Sequence, residues 1–137
     1  MYLVDTSVWV DFLRGSETRH VTTLKTLLGG DDVVGIAPII LQEVLQGADS
    51  DQRFEKWRKY FEGLCCYAPA DAVAAHVAAA RLYQGCRRAG KTPRSSNDCL
   101  IACIAMEHGL VLLHDDRDFT TIAAAVPGLR LYPIERG

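Results

Sequence analysis

Short apolar runs of strand length alternate with longer segments of helical periodicity along this 137-residue chain. Such an alternation predicts a parallel sheet covered by helices on both faces. Ligand sites in sheets of this kind form at the carboxyl ends of the strands. The predicted strands are residues 2–4, 33–37, 65–67, 110–113 and 129–132, and the predicted helices are residues 7–13, 22–28, 38–46, 53–61, 71–89 and 98–108.

Length and composition indicate one domain, residues 1–137, with a single hydrophobic core. Hydrophobic residues make up 49% of the chain and the formal net charge is −2. That charge does not indicate a broadly basic nucleic-acid-binding protein, although it leaves a local basic patch open. The sequence contains no recognisable signal peptide and no apolar run of membrane-spanning length, so we expect a cytoplasmic protein.

Five cysteines lie in apolar segments and include no Cys-x-x-Cys pair. An odd number without metal-type spacing predicts reduced and mostly buried thiols. A zinc site is the alternative, but the four histidines are scattered along the chain. The cysteines are Cys65, Cys66, Cys86, Cys99 and Cys103.

Four acidic residues lie where predicted core segments meet loops or helices. Two of them, Asp5 and Asp116, follow predicted strands, whereas Glu43 lies within a predicted helix and Asp98 opens another. A carboxylate beside a core is unfavourable unless it is paired, hydrogen-bonded or bound to a metal. Four that can converge at one edge of a sheet suggest a site for hard divalent cations.

Helix capping is an alternative explanation for several of these acids. In Asp5-Thr6-Ser7, each side chain can accept a hydrogen bond from a free N–H group at a helix start. The spacing Ser95-x-x-Asp98 fits a capping box, and Glu43 can be an ordinary solvated side chain. Capping and metal binding can hold at once, so both interpretations stay open on the residues alone.

The segment from His114 to Phe119 contains three acids within four positions. Like charges so close together repel unless a cation lies among them. The neighbouring Arg117 can supply part of that charge, and a divalent ion can supply more.

A cationic cluster precedes Asp98 by a few residues. A solvated helix end explains it, since cations favour helix C-termini. The functional alternative is that the cluster binds the phosphates of a nucleic acid. Its members are Arg87, Arg88, Lys91 and Arg94.

An aromatic stripe lies at helical spacing between residues 53 and 61. We interpret it as core or dimer packing rather than as a platform on which bases stack. Its members are Phe54, Trp57, Tyr60 and Phe61.

Four segments carry the features above, in order along nearly the whole chain. They are Val4-Asp5-Thr6-Ser7, Glu43-Val44-Leu45-Gln46-Gly47, Arg94-Ser95-Ser96-Asn97-Asp98-Cys99-Leu100-Ile101-Ala102 and His114-Asp115-Asp116-Arg117-Asp118-Phe119. Together they resemble the PIN-domain ribonucleases, and within them the VapC-type toxins of bacterial toxin–antitoxin pairs. Any one segment is weakly specific, whereas the four in order are fairly specific.

The resemblance implies a three-layer α/β/α fold with a central parallel sheet of about five strands. It also implies Mg²⁺- or Mn²⁺-dependent cleavage of RNA, often tRNA or rRNA. Two divalent ions about 4 Å apart can serve both the attacking hydroxide and the leaving oxygen. By position, the catalytic, metal-binding quartet is Asp5, Glu43, Asp98 and Asp116, with Thr6 or Ser7 as the supporting hydroxyl and Asp118 as a further acid.

The resemblance further implies a set of partners. These are an RNA substrate, a second copy of the chain in a homodimer, and a small cognate VapB-type antitoxin whose tail enters the acidic groove. Promoter DNA is expected to be bound only through the antitoxin, and no membrane partner is expected.

Three competing interpretations remain from the residues. A receiver-type phosphoryl-transfer domain needs an aspartate at the end of strand three and a later lysine, but Tyr67-Ala68-Pro69 stands there and no lysine follows Lys91. A haloacid-dehalogenase-like phosphatase needs an aspartate where Ser7 stands. A non-catalytic module, whose acids only cap helices, is the third, and it predicts little specific stabilisation by Mn²⁺.

Overall fold

Five strands and seven helices make up residues 1–133, which are the residues that the computed structural model describes. Residues 134–137 of the predicted domain lie outside the described residues. The strands are β1 (Tyr2–Val4), β2 (Val34–Ile36), β3 (Cys65–Cys66), β4 (Val111–Leu113) and β5 (Arg130–Leu131). The helices are α1 (Thr6–Leu13), α2 (Arg19–Gly29), α3 (Pro38–Leu45), α4 (Asp51–Glu62), α5 (Ala72–Arg88), α6 (Ser96–Glu107) and α7 (Arg117–Ala125).

The strands form one all-parallel sheet in the order β3-β2-β1-β4-β5. The chain first moves outward from β1 to β3 and then crosses back to β4 and β5. Because crossovers between parallel strands are right-handed, the two directions place their helices on opposite faces of the sheet. Accordingly α1 packs on α2 and α3, whereas α5 packs on α6 and α7. The predicted three-layer α/β/α fold with a parallel sheet is confirmed.

The strand order reverses between β1 and β4, which are hydrogen-bonded neighbours. At such a switch point the connections leave in opposite directions, and a crevice opens beyond the carboxyl ends of the two strands. Asp5 follows β1 directly, and its N–H donates to the carbonyl of Leu113 at the end of β4 at 2.9 Å. The sheet therefore brings residues 5 and 114–118 to the same crevice.

The core lies on both sides of the central strands. Leu3, Val4, Leu112 and Leu113 of β1 and β4 are fully buried, as are large side chains from the helices of both layers. Burial of this apolar area is the main stabilising contribution, at about 25 cal/mol per Å². The helical contributors include Trp9, Phe61, Ile101 and Phe119.

The aromatic stripe on α4 divides between core and surface. Phe61 is fully buried and its ring centroid lies 4.9 Å from that of Trp9, in an edge-to-face arrangement. Trp57 also packs against the core, whereas Phe54 and Tyr60 are 38% and 42% exposed. Half of the stripe therefore belongs to the core, and the other half is left on the surface.

Helix α6 begins at Ser96, two residues before the predicted start. The Ser95 hydroxyl caps it by accepting the N–H of Asn97 at 3.2 Å, so the predicted reciprocal box with Asp98 is not the capping arrangement. Asp98 lies in the first turn of the helix, where the positive end of the helix dipole favours its charged form.

Helix α7 is absent from the predicted helices, the last of which ends at residue 108. Asp116 caps this helix by accepting the N–H of Asp118 at 2.9 Å. Phe119 and Ile122 are buried on its inner side. The three-residue spacing of these two apolar residues is the local signal that indicates a helix here.

The prediction of mostly buried thiols is wrong for Cys65 and Cys66, which are exposed. Both lie on β3, an edge strand that pairs only with β2, so no neighbouring strand covers its outer side. Cys86 and Cys99 are buried and Cys103 is half-buried, and all five thiols are free. Within residues 1–133, no helix is both long and apolar enough to cross a membrane.

Candidate active site

A cleft of about 360 Å³ opens at the switch point beyond the carboxyl ends of β1 and β4. All four acids of the predicted quartet line it, together with both predicted hydroxyls and Asp118. Of the cationic cluster only Arg94 reaches it. The lining residues are Asp5, Thr6, Ser7, Glu43, Arg94, Ser95, Asp98, Asp116 and Asp118.

One half of the cleft is held together by hydroxyl groups. Asp5 is 5% exposed, and its Oδ2 accepts the Ser7 hydroxyl at 2.6 Å and the Ser7 N–H at 3.2 Å. The Thr6 hydroxyl donates to Glu43 Oε1 at 2.9 Å, which ties α1 to α3. Asp5 therefore caps α1 and faces the cleft at once, as the capping and metal-site interpretations together allow.

Burial changes the ionisation of both acids in this half. It raises the pKa of Asp5, while the hydrogen bonds from Ser7 act in the opposite direction. Burial also raises the pKa of Glu43, against hydrogen bonds from Thr6 and from Asn97. Asn97 is a contributor that the sequence analysis did not single out, although it stands between the cap Ser95 and Asp98.

The other half of the cleft is held together by a guanidinium group. Arg94 Nη2 donates to Asp116 Oδ1 at 2.8 Å, and Arg94 Nε donates to Asp118 Oδ2 at 3.2 Å. The backbone N–H of Arg94 donates to the same Asp118 oxygen at 2.9 Å. Arg117, which the sequence suggested as part of the neutralising charge, is exposed at the start of α7 and forms no ion pair with these acids within residues 1–133, whereas Arg94 pairs with two of them.

Asp98 lies between the two halves, and no hydrogen-bond donor reaches it among the described residues. Burial, followed by repulsion from Asp5, Asp116 and other acids of the cleft, raises the pKa of Asp98 to about 7. Oxygens of Asp98, Asp116 and Asp118 all lie within 4.8 Å of one another. Three carboxylates at that spacing can share one cation.

The charge of the cleft follows from its side chains. Five carboxylates and one guanidinium line it, which leaves a formal charge of −4 when all are ionised. Carboxylate oxygens are the hard ligands that Mg²⁺ and Mn²⁺ prefer, and neither a thiol nor an imidazole lines the described cleft. The donor set therefore fits a hard divalent cation such as Mg²⁺ or Mn²⁺, and it lacks the cysteine and histidine ligands of structural zinc sites.

Asp115 does not line the cleft, but it contacts Ser7, which does. Its carboxylate lies 3.5 Å from Nδ1 of His20, and its N–H donates to the Ser7 hydroxyl at 3.3 Å. Asp116 rather than Asp115 faces the acidic centre, as chosen from the motif. His20 is a further residue that the sequence analysis missed, because nothing in its local sequence links it to position 115.

Arg87, Arg88 and Lys91 do not line the cleft. They are exposed at the end of α5 and in the loop that leads to Arg94, and no acid of residues 1–133 forms an ion pair with them. The structure therefore brings one of the four predicted cations into the acidic site and leaves the other three exposed outside its lining.

Fold and cleft together define the class: an α/β protein with a carboxylate-rich centre at the switch point of a parallel sheet. The sequence model of the PIN domain matches residues 2–125, so the chain belongs to the PIN-domain family. A VapC ribonuclease of Mycobacterium bovis and ribonuclease VapC11 of Mycobacterium tuberculosis are each 37% identical to it over 124 residues, or 90% of this chain and 92% of the relative. The resemblance seen in the four segments is confirmed.

Solved structures share the fold at lower identity. VapBC2 from Rickettsia felis, bound to a DNA fragment from its promoter, aligns with a TM-score of 0.71 and 18% identity over 95% of this chain and 96% of that chain. DNA-bound VapBC from Salmonella typhimurium aligns with a TM-score of 0.71 and 21% identity over 95% of each chain. At these identities the likeness supports the fold alone.

Proposed function

We propose that this protein is a Mg²⁺- or Mn²⁺-dependent endoribonuclease that inhibits translation as a toxin and is neutralised by a cognate VapB-type antitoxin. The observation that carries the proposal is the convergence of five carboxylates from four separate parts of the chain in one cleft. A set with no role beyond capping has no reason to converge, because each acid would be more stable in water than beside four others.

Asp5, Glu43, Asp98 and Asp116 would hold the metal, with Asp118 as a further ligand at the cleft mouth. A bound divalent ion would activate water and stabilise the negative charge that develops on the phosphate during cleavage. Ser7 orients the Asp5 carboxylate, and Thr6 orients that of Glu43. Burial and the neighbouring acids raise the pKa of Asp98 and so favour its protonated form, whereas a bound cation would favour the charged form, so ion binding and deprotonation would be coupled at this residue.

The cationic cluster would gather the RNA. A centre made of carboxylates repels phosphate, so substrate needs positive charge beside the cleft. Two exposed arginines end α5 and an exposed lysine follows in the loop that leads along the chain to Arg94, which lines the cleft. Arg87, Arg88, Lys91 and Arg94 would contact the backbone without reading bases.

RNA cleavage in defined metal conditions tests the enzymatic proposal. Purified protein would be incubated with structured RNA, such as tRNA or rRNA fragments, in Mg²⁺, in Mn²⁺ and in EDTA. We expect cleavage in both metals and none in EDTA. The Asp98→Asn variant is the matched control for contaminating nucleases, and equal cleavage in EDTA would exclude the metal mechanism.

An antitoxin, a homodimer and a cytoplasmic site of action are the remaining parts of the proposal. The solved VapBC structures describe complexes of that kind, and the free thiols of this chain suit a reducing compartment. The exposed side chains of α4, Phe54 and Tyr60, are candidates for the dimer contact. Promoter DNA would be bound through the antitoxin. Light scattering at micromolar concentration is expected to give twice the chain mass, and a monomer would contradict the dimer.

A further inference from the structure

Arg94 occupies an unusual place for a cation on an RNA-binding rim, because it is bonded to the acidic centre itself. Its guanidinium bridges Asp116 and Asp118, and its backbone N–H holds the second of these acids. The side chain is nonetheless 72% exposed, whereas those of Asp116 and Asp118 are 24% and 15% exposed. The arginine thus lines the cleft and contacts its acids while most of its side chain remains exposed.

The two acids that Arg94 bridges belong to the group of three whose oxygens lie within 4.8 Å. A divalent cation placed among those oxygens would meet a fixed positive charge on two of its ligands. Guanidinium and cation therefore compete for the same carboxylates, since each pair of like charges at contact distance is unfavourable. Asp98, the third member, forms no ion pair among the described residues, so the guanidinium pairs with two of the three acids.

Displacing the Arg94 guanidinium from the two carboxylates requires little free energy. The ion pairs of an exposed arginine contribute little to stability, because water screens the guanidinium and a long side chain loses freedom when it is held. A doubly charged ion outcompetes a singly charged group on hard oxygens that it binds directly. Once displaced, the guanidinium would stand at the cleft mouth with five donors free, a geometry that matches a phosphate group.

We propose that Arg94 is an exchangeable counter-ion: it neutralises Asp116 and Asp118 in the metal-free cleft and transfers to a substrate phosphate when a divalent cation binds. This inference rests on the proposed metal-dependent function and adds that the metal binds before Arg94 contacts the phosphate. Before the metal binds, Arg94 reduces the repulsion between the carboxylates of the cleft. When the metal binds, the released guanidinium becomes available to a phosphate group. Metal binding and RNA binding therefore support each other through one side chain.

Binding of Mn²⁺ in the absence of RNA is the first test, measured by the loss of the free Mn²⁺ signal in electron paramagnetic resonance. We expect Arg94→Gln to tighten Mn²⁺ binding by about three- to tenfold, the range set by two exposed ion pairs. Arg117→Gln is the matched control, since it removes the same charge from a neighbouring exposed position that makes no contact with the acids of the cleft.

RNA binding is the second test, measured with a fluorescently labelled RNA hairpin by rapid-mixing anisotropy before cleavage proceeds. In saturating Mg²⁺, Arg94→Gln is expected to weaken hairpin binding by about three- to tenfold, and in EDTA by less than twofold. A loss of equal size in both conditions would mean that Arg94 binds phosphate without any exchange.

A direct readout in the wild-type protein does not depend on any variant folding. The Nε–H resonance of Arg94 should be protected from solvent exchange without metal and should lose that protection as Mg²⁺ is added. Protection that persists at saturating Mg²⁺, or weaker Mn²⁺ binding in Arg94→Gln, would show instead that Arg94 is a fixed support for the ligands. That result would overturn the exchange.

The outcomes separate this inference from the proposed function. If wild-type protein binds no Mn²⁺ at all, the metal-dependent function fails. If the wild type binds Mn²⁺ and Arg94→Gln behaves like Arg117→Gln, the function stands and only the exchange is overturned.

Discussion

The two halves of the acidic cleft are stabilised by different chemistry. Asp5 and Glu43 accept hydrogen bonds from the hydroxyls of Ser7 and Thr6, which are neutral groups on α1. Asp116 and Asp118 are instead bridged by the charged Arg94, which reaches in from a loop. Hydroxyls orient a carboxylate without cancelling its charge, whereas a guanidinium cancels the charge that a metal would use.

This difference divides the cleft into a fixed part and an exchangeable part. The hydroxyl bonds are short, lie next to the start of α1 and can persist when a cation binds, since each carboxylate has a second oxygen. The arginine bonds lie at the mouth and oppose a cation. Asp98 lies between the halves with neither kind of support, so it responds most strongly to what occupies the cleft.

The largest expected effect comes from removing a charge at the centre. We expect Asp98→Asn and Asp5→Asn to reduce RNA cleavage by at least about 100-fold, since even support groups of metal ligands typically contribute 10- to 100-fold. Asparagine can still cap α1 at position 5, so both variants should fold. Cleavage assays and thermal unfolding would be compared, and a large loss of melting temperature in both variants would favour a capping role instead.

The hydroxyl half can be weakened without changing any charge. Ser7→Ala removes the 2.6 Å bond to Asp5, so the pKa of Asp5 should rise further and cleavage should fall by about tenfold at neutral pH. Thr6→Val is the matched comparison, because it removes the bond to the less buried Glu43 at nearly constant shape. Activity profiles against pH measure both variants, and a profile of Ser7→Ala that does not shift to higher pH would contradict the orienting role.

The three exposed cations outside the cleft should affect RNA binding and leave metal binding unchanged. Replacing Arg87, Arg88 and Lys91 with Ala should weaken RNA binding several-fold and lower the slope of log affinity against log salt by about 2. Mn²⁺ affinity should be unchanged, which contrasts with the gain expected for Arg94→Gln. A triple variant that binds and cleaves RNA like wild type across a salt series would leave these residues as a solvated helix end.

The smallest effect is on the metal-free protein as pH changes. Folding raises the pKa of Asp98 from 3.8 to about 7, so its contribution to stability is present below the lower value and is lost as pH rises through the higher one. In EDTA, the melting temperature of Asp98→Asn relative to wild type should therefore increase by a few degrees between pH 5 and pH 8. A constant difference in melting temperature across that range would show that folding does not raise the pKa of Asp98.

The sequence located most of the cleft because strand ends are readable from local pattern. Asp5 follows three apolar residues and Asp116 follows another apolar run, and parallel strands must share one carboxyl edge. Glu43 and Asp98 were less certain from the residues alone, since a mid-helix acid and a possible cap each have ordinary explanations. Their selection depended on the resemblance of four segments in order.

Several contributors were beyond reach of local pattern. Arg94 was placed with the RNA-facing cations, and Arg117 was offered as the neutralising charge because it is adjacent in sequence to the acids. Within the described residues Arg117 is exposed at the start of α7 and forms no ion pair with these acids, whereas Arg94 pairs with two of them. The His20 contact to Asp115 likewise joins residues that are far apart in the chain.

The sequence by itself determined the layered α/β fold, the location of the site at the carboxyl ends of the strands and the acids that line it, whereas the strand order that creates the switch point came from the tertiary structure. Periodicity is a local property, and the chain direction at strand ends is fixed by parallel pairing. Tertiary structure alone decided which carboxylate receives a hydroxyl, which receives a guanidinium and which receives neither. The Ser7 bond to Asp5 joins residues two positions apart, but the Thr6 bond to Glu43 and the Arg94 bond to Asp116 join residues 37 and 22 positions apart, and no local pattern encodes those distances.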